Sequence, residues 1–412
     1  MNNLDFIVSE DWIKYSHKRY LPLDDIRHRK GFNKNQKEWK DLKNQFQETR
    51  RLQSFQFKFP SINKTFWYFE ADCIKEKILK IVNIGSKIYN QIHLKQDFEE
   101  SLLDNSLVEE AITSAIYEGA NTTRRKAKEF LAQNIKPKNK ADWMCFNNTE
   151  ALRWIKKNVS MQLDINAVLN IHHIVTNNTL EGKYIDYIGK FRDDPVFVAD
   201  HEGIEYEKIE IAVQEAISHC TEYPRYIHEL IRGIMLHYFI AYIHPFFDGN
   251  GRCARTLFYH FGMKNDLPFL ELLSLSAYLK KHNKQYDESF KRAVTHDGDI
   301  TYFVNFNLEA LLNALLTVKE KIDRVLKIQV LKKTLDISNH QLMLIQKLFL
   351  NKHKRLTITE YAKDIKKSHE MARVELNSLA KKNILNKLSL NKKQNAYQIN
   401  KKYINELLGK LT

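Results

Sequence analysis

The sequence predicts a mainly α-helical protein with a small β-hairpin in its middle and a separate helical segment with its own hairpin at the C-terminus. Three observations carry this. The 412 residues include only 12 Gly and 7 Pro, which favours long helices over strand-and-turn architecture. Apolar residues recur at three- and four-residue spacing, as at 74–92 and 165–175. The spacing fails at 187–198, where Gly189 and Pro195 precede an alternating apolar tail, the pattern of a short hairpin or extended edge.

Charge divides the chain further. The net charge is +15, and residues 338–412 alone hold 16 Lys and Arg against 5 Asp and Glu. That segment therefore carries +11, and the 337 residues before it carry only +4. An anionic partner is expected for the C-terminal segment and not for the whole chain. No apolar run approaches the roughly 20 residues that span a bilayer, so no membrane partner is expected. Cys73, Cys145, Cys220 and Cys253 are scattered without metal-type spacing and read as reduced thiols. With no basic-then-apolar leader at the N-terminus, the expected location is cytoplasmic.

In chain order, residues 1–95 read as a helical scaffold. The aromatic clusters at 55–59 and 66–69 are short packed segments, and 74–92 is a helix. A helix over about 108–120 follows, with Ser114 and Glu118 stacked one turn apart and Gly119 at its end. An amphipathic helix at 165–175 carries His172 and His173. Adjacent histidines diverge on a helix, so they read as core or surface residues and not as a shared metal site. His237 reads as a core histidine.

The stretch that organises the chain is His244, Pro245, Phe246, Phe247, Asp248, Gly249, Asn250, Gly251, Arg252, Cys253, Ala254 and Arg255. It lies between an apolar helical run, 231–243, and a second run from near Thr256. Two glycines and an asparagine between helices let backbone N–H groups converge on one point, and the following helix adds its N-terminal dipole. That is a phosphate cradle. Arg252 and Arg255 lie one turn apart and can add charge-assisted contacts to phosphate oxygens. Asp248 can hold a hard cation such as Mg²⁺, and His244 can act as a general base.

This stretch resembles the Fic family signature, His-x-Phe-x-Asp/Glu-Gly-Asn-Gly-Arg-x-x-Arg, and fills every fixed position. The resemblance covers about residues 108–315. It implies a helical Fic core that transfers AMP from ATP, with Mg²⁺, to a Ser, Thr or Tyr hydroxyl of a protein, the chain itself included. It implies His244 as catalytic base, Asp248 as Mg²⁺ ligand, and Gly249, Asn250, Gly251, Arg252 and Arg255 as the nucleotide site. Gly251 stands where kinase-like members carry lysine, which favours adenylylation. Ser114-x-x-x-Glu118-Gly119 resembles the family's inhibitory helix, whose Glu pairs with the second motif arginine and blocks the γ-phosphate. The same Glu can also position water for AMP removal. Residues 187–198 resemble the target-clamping flap, with Pro195, Val196, Phe197 and Val198 as clamp residues. Tyr286, on a helix expected from Leu275 to Val294, matches an adenine-pocket position. Gln285 stands where many members carry another tyrosine.

The segment 338–412 has the outline of a winged helix-turn-helix: three helices, the third capped by Ser368, then a hairpin tipped by Lys392 and Lys393. DNA and protein both remain open as its partner. The expected organisation is therefore a scaffold at 1–95, a Fic catalytic domain at 96–330 and a winged helix at 338–412, with homodimerisation left open. The competing reading is a nucleotide-sensing, DNA-binding regulator with an inactive Fic core.

Overall fold

The computed structural model describes all residues except 1–5, 8, 30–35, 94–95, 134, 199–200, 336, 351–354, 392–393 and 410–412. It divides into two compact units, residues 1–315 and 316–412.

In the first unit, α1 (Gln36–Leu52) leads into an antiparallel hairpin of β1 (Phe55–Phe59) and β2 (Lys64–Tyr68). The alternation Phe-Gln-Phe-Lys-Phe puts Phe55, Phe57 and Phe59 on one buried face of β1. Next come α2 (Asp72–His93), α3 (Gln96–Tyr117), α4 (Arg124–Ala132), α5 (Lys140–Lys157) and α6 (Ile165–Thr176). The short pair β3 (Phe197–Val198) and β4 (His201–Glu202) follows, then α7 (Ile209–Thr221). The unit continues through α8 (Glu229–Ile243), α9 (Asn250–Lys264), α10 (Leu275–Lys281), α11 (Asn283–Thr295) and the start of α12 (Thr301–Leu335).

The central element is α8. It is buried on nearly every side, as its apolar residues on all faces require. It packs on α9 and α7, while α9 also packs on α5 and α6. The N-terminal residues join this same unit. Phe57, Phe59 and Phe66 of the hairpin set their rings 6.0, 4.9 and 5.5 Å from Phe239 of α8. Trp67 exchanges backbone hydrogen bonds with Gly298 and Ile300. The division expected at residue 95 is therefore not where the structure divides. An aromatic hairpin with one apolar face has to bury it, and α8 supplies the surface.

Two helix boundaries also differ from expectation. The second motif helix begins at Asn250, not near Thr256, because Asn250 closes the loop with its own side chain: Phe246 N–H donates to Oδ1 at 3.0 Å and Nδ2 donates to the Phe246 carbonyl at 2.7 Å. The expected helix from Leu275 breaks at His282 into α10 and α11. There the His282 Nδ1 lies 3.1 Å from the Tyr278 carbonyl and its ring stacks on Tyr278 at 4.0 Å.

The second unit holds the end of α12, α13 (Asn339–Leu350), β5 (Leu356–Thr357), α14 (Ile358–Ile365), α15 (His369–Lys381), β6 (Leu385–Asn391), β7 (Gln394–Ile399) and α16 (Lys401–Gly409). The strands form an antiparallel sheet in the order β5-β7-β6. Thr357 and Glu360 make a reciprocal capping box on α14, and Ser368 Oγ accepts from Met371 N–H to cap α15. Leu344, Ile345, Tyr361, Leu376, Leu379 and Tyr397 fill the core. Lys392 and Lys393, expected at the hairpin tip, lie outside the described residues. Among the described residues, no helix is long and apolar enough to cross a membrane.

Candidate active site

The site forms where α8 ends. His244 stops that helix in the left-handed region, φ 51°, while its N–H still donates to the Ile240 carbonyl at 3.1 Å. The turn swings the imidazole out of the helix line. Nδ1 lies 3.4 Å from the Ala241 carbonyl, and a proton held on Nδ1 there leaves Nε2 with the lone pair a base needs.

Gly249 also adopts a positive φ, 85°, at the start of α9. A Cβ there would strike Thr176 and crowd the His172 ring, so the position requires glycine twice over. At Gly251 a Cβ would overlap the Glu118 carboxylate, so a larger residue there fits only with that side chain displaced.

Asp248 is half-exposed, and one carboxylate oxygen is already anchored. Oδ1 accepts from Gly249 N–H at 2.6 Å and from Arg252 Nη2 at 3.2 Å, and Oδ2 takes part in neither bond. A single oriented, partly solvated carboxylate fits Mg²⁺, which keeps several waters and takes its other ligands from substrate phosphates.

The two arginines have different environments. Arg252 has a fully buried side chain, and its Nη1 donates to the Val175 carbonyl at 2.7 Å. It braces Asp248 against α6. Arg255 is buried too, but its partners come from α3 and the turn after it. Nη2 donates to Glu118 Oε1 at 2.7 Å, and Nε and Nη2 donate to Ser114 Oγ at 3.1 and 2.9 Å. Burial works against the charge of Arg255, but Glu118, Tyr286 and Glu110 together outweigh it and hold the guanidinium pKa above its usual value. Gly119, at φ 93°, ends α3 just past Glu118.

The same helix is held from the other side by Glu110. Its carboxylate accepts from Ser276 N–H and Ser274 Oγ at 2.9 and 3.0 Å, and from Ser276 Oγ at 2.6 Å. Burial raises its pKa despite these donors.

Tyr286 stands on α11 at the edge of this cluster. Its ring meets Tyr117 edge-on at 6.1 Å, and its hydroxyl lies 3.2 Å from His237 Nε2. His237 is buried within α8, and that burial pushes its pKa down to about 3, so the ring is neutral. Tyr117 was missed from the sequence, yet its ring lies 5.5 Å from the Arg255 guanidinium.

Two further residues missed at the sequence level hold the flap to the loop. Arg192 is buried. Its Nε donates to the His244 carbonyl at 2.9 Å, its N–H donates to the Pro245 carbonyl at 3.0 Å, and its guanidinium also holds the carbonyls of Asp194 and Ile204. It thus ties both arms of the 192–204 segment to the turn at His244 and Pro245. Between those arms Phe197 pairs with Glu202 and Val198 with His201. Pro195 and Val196 lead in, and the Val196 carbonyl accepts from Gly203 N–H. Phe197 is 74% exposed, as a side chain awaiting a partner would be.

His172 is the other. Its Nδ1 accepts from Gly189 N–H at 3.1 Å, and its Nε2 lies 3.0 Å from the Asp248 carbonyl. The first bond requires an unprotonated Nδ1, so Nε2 carries the hydrogen and donates. Burial pushes its pKa down to about 4, which keeps the ring in this neutral form. Nothing in the sequence sets His172 apart from other helical histidines. Its partners are 17 and 76 residues away.

A helical core of this kind, with a glycine-rich turn between two buried helices, a histidine at the mouth and a small flap beside it, matches the Fic/DOC family over residues 162–262. The chain is 29% identical over 163 residues to the protein adenylyltransferase Fic of Nematostella vectensis, an alignment covering 38% of this chain and 35% of that protein. It is 27% identical over 161 residues to the protein of the same name in Drosophila willistoni, covering 38% and 30%. The chain thus spans about a third of the length of the curated relatives it matches. In fold it is similar to a Fic family protein from Desulfovibrio desulfuricans G20, with a TM-score of 0.53 at 16% identity over 81% of this chain and 97% of that one.

Proposed function

We propose that the chain is a protein adenylyltransferase held in check by Glu118. The observation that carries this reading is the Glu118–Arg255 pair against Gly251, on the turn and helix that follow His244. His244 Nε2 takes the proton of an acceptor hydroxyl as its oxygen attacks the α-phosphorus of ATP. The bond to the β-phosphate oxygen breaks and pyrophosphate leaves. Backbone N–H groups at the start of α9 stabilise the charge developing on the phosphoryl oxygens. Mg²⁺, held by Asp248, offsets phosphate charge when bound.

Arg255 orients the γ-phosphate only after Glu118 has left it. A carboxylate and a phosphate compete for one guanidinium, so inhibition is a matter of occupancy. In the same pocket Glu118 and His244 are the pair for a second reaction, in which water attacks the AMP phosphorus and frees AMP and the protein hydroxyl. The acceptor segment pairs with the flap at Phe197–Val198 beside His244. The second unit, with its basic charge and three-helix-and-hairpin order, is read as a winged helix.

The test supplies ATP labelled at the α- or the γ-phosphate. Protein-bound α-label is the expected result, and γ-label would mean phosphoryl transfer instead.

A further inference from the structure

We infer that His172 is a positioning residue that links the base of the flap to the phosphate-binding turn, so that seating of the acceptor segment and of the nucleotide assist each other. This rests on the proposed adenylyl transfer for its meaning, but not for its geometry. The imidazole spans two segments with its two nitrogens: Gly189 N–H donates to Nδ1 at 3.1 Å, and Nε2–H donates to the Asp248 carbonyl at 3.0 Å. Its ring lies flat on Phe246, with centroids 3.6 Å apart and planes within 2°. Thr176, one turn further along α6, and the ring itself lie against Gly249, where a Cβ would strike the Thr176 methyl.

The ring is therefore a rigid strut. One end sets the peptide from which the Asp248 side chain and the Gly249 N–H project. The other end sets Gly189, three residues before Arg192 and the flap. A displacement of the flap base is transmitted to the turn through a group that cannot bend, and by linkage the effect runs in both directions. Both partners are partly buried, so removing the imidazole takes a hydrogen bond from each where water replaces it only in part.

The experiment compares Glu118→Gly with Glu118→Gly carrying His172→Phe or His172→Gln. Phenylalanine keeps the stack on Phe246 and removes both polar contacts, whereas glutamine restores one donor and one acceptor. Three quantities are read: melting temperature, half-saturating Mg²⁺ for ATP binding, and amide exchange over 187–204 with and without Mg²⁺ and ATP. The expected result is a folded His172→Phe protein whose half-saturating Mg²⁺ rises at least tenfold. In it, ATP no longer slows exchange in the flap, and His172→Gln recovers part of both effects. A folded His172→Phe protein with unchanged Mg²⁺ dependence and the same ATP-induced flap protection would overturn the inference. Because binding and exchange are read without turnover, absence of AMP transfer would count against the proposed activity alone.

Discussion

Glu118 Oε1 accepts a hydrogen bond from Arg255 Nη2 at 2.7 Å, and the Arg255 side chain is almost wholly buried where the two meet. Ser114 Oγ takes the remaining donors on that edge. Arg255 thus has its acceptors supplied by one turn of α3 and the residue just beyond it, and any other anion has to displace them. Glu118→Gly should raise AMP incorporation at least tenfold, and Glu118→Gln, which keeps an acceptor without the charge, should fall between. The initial rate of α-label incorporation checks this.

Arg252 and Arg255 should separate cleanly on substitution. Removing Arg252 leaves the Val175 carbonyl without its donor and takes from Asp248 Oδ1 one of its two donors. Arg252→Gln should therefore destabilise by about 3 kcal/mol. Arg255→Gln removes a guanidinium whose main partner is a partly exposed carboxylate, so it should cost less stability and chiefly weaken ATP binding. Thermal melts and nucleotide titrations on the two variants give the comparison.

Gly249→Ala should fail structurally. Its φ of 85° disfavours any L side chain by about 1–2 kcal/mol, and the new methyl would also collide with Thr176. A melting temperature lowered by several degrees together with lost Mg²⁺–ATP binding is the expected outcome. Gly119→Ala, with open space around its Cβ, should show only the backbone cost.

Asp299 predicts a pH dependence of stability. Burial raises its pKa to about 6, although Thr301 N–H and the Tyr20 hydroxyl donate to it at 3.0 and 2.6 Å. The unfolded carboxyl titrates near 3.9, so between about 4 and 6 the folded state holds the proton more tightly. This group's contribution to stability is therefore full below pH 4 and lost as pH rises through 6, by about 3 kcal/mol in all. Asp299→Asn, which cannot ionise, should gain stability relative to wild type as pH goes from 4 to 7. Denaturant titrations across that range test the sign.

Much of this site is written in consecutive residues, and that part was legible. His244 to Arg255 lie within one turn-and-helix, so their spacing states their geometry, and Ser114 and Glu118 share a helix face by simple periodicity. The parts that escaped are long-range. His172 and Arg192 matter because of the carbonyls and amides they meet, and a single sequence does not report such partners. The bonds that bury Arg252, to the Val175 carbonyl and Asp248, are likewise not stated by its place in the motif. The helix start at Asn250 was set by a side-chain-to-backbone cap, which spacing alone places several residues too late. The aromatic hairpin at 55–68 was legible as buried, but its partner, Phe239, was not.

The most direct measurement of the central claim is intact mass after incubation with ATP and Mg²⁺, on wild type, Glu118→Gly and Glu118→Gly/His244→Ala. The expected result is a gain of one or more AMP moieties in Glu118→Gly, much less in wild type, and none in the double variant. A gain that persists without His244, or wild type modified as fully as Glu118→Gly, would contradict it.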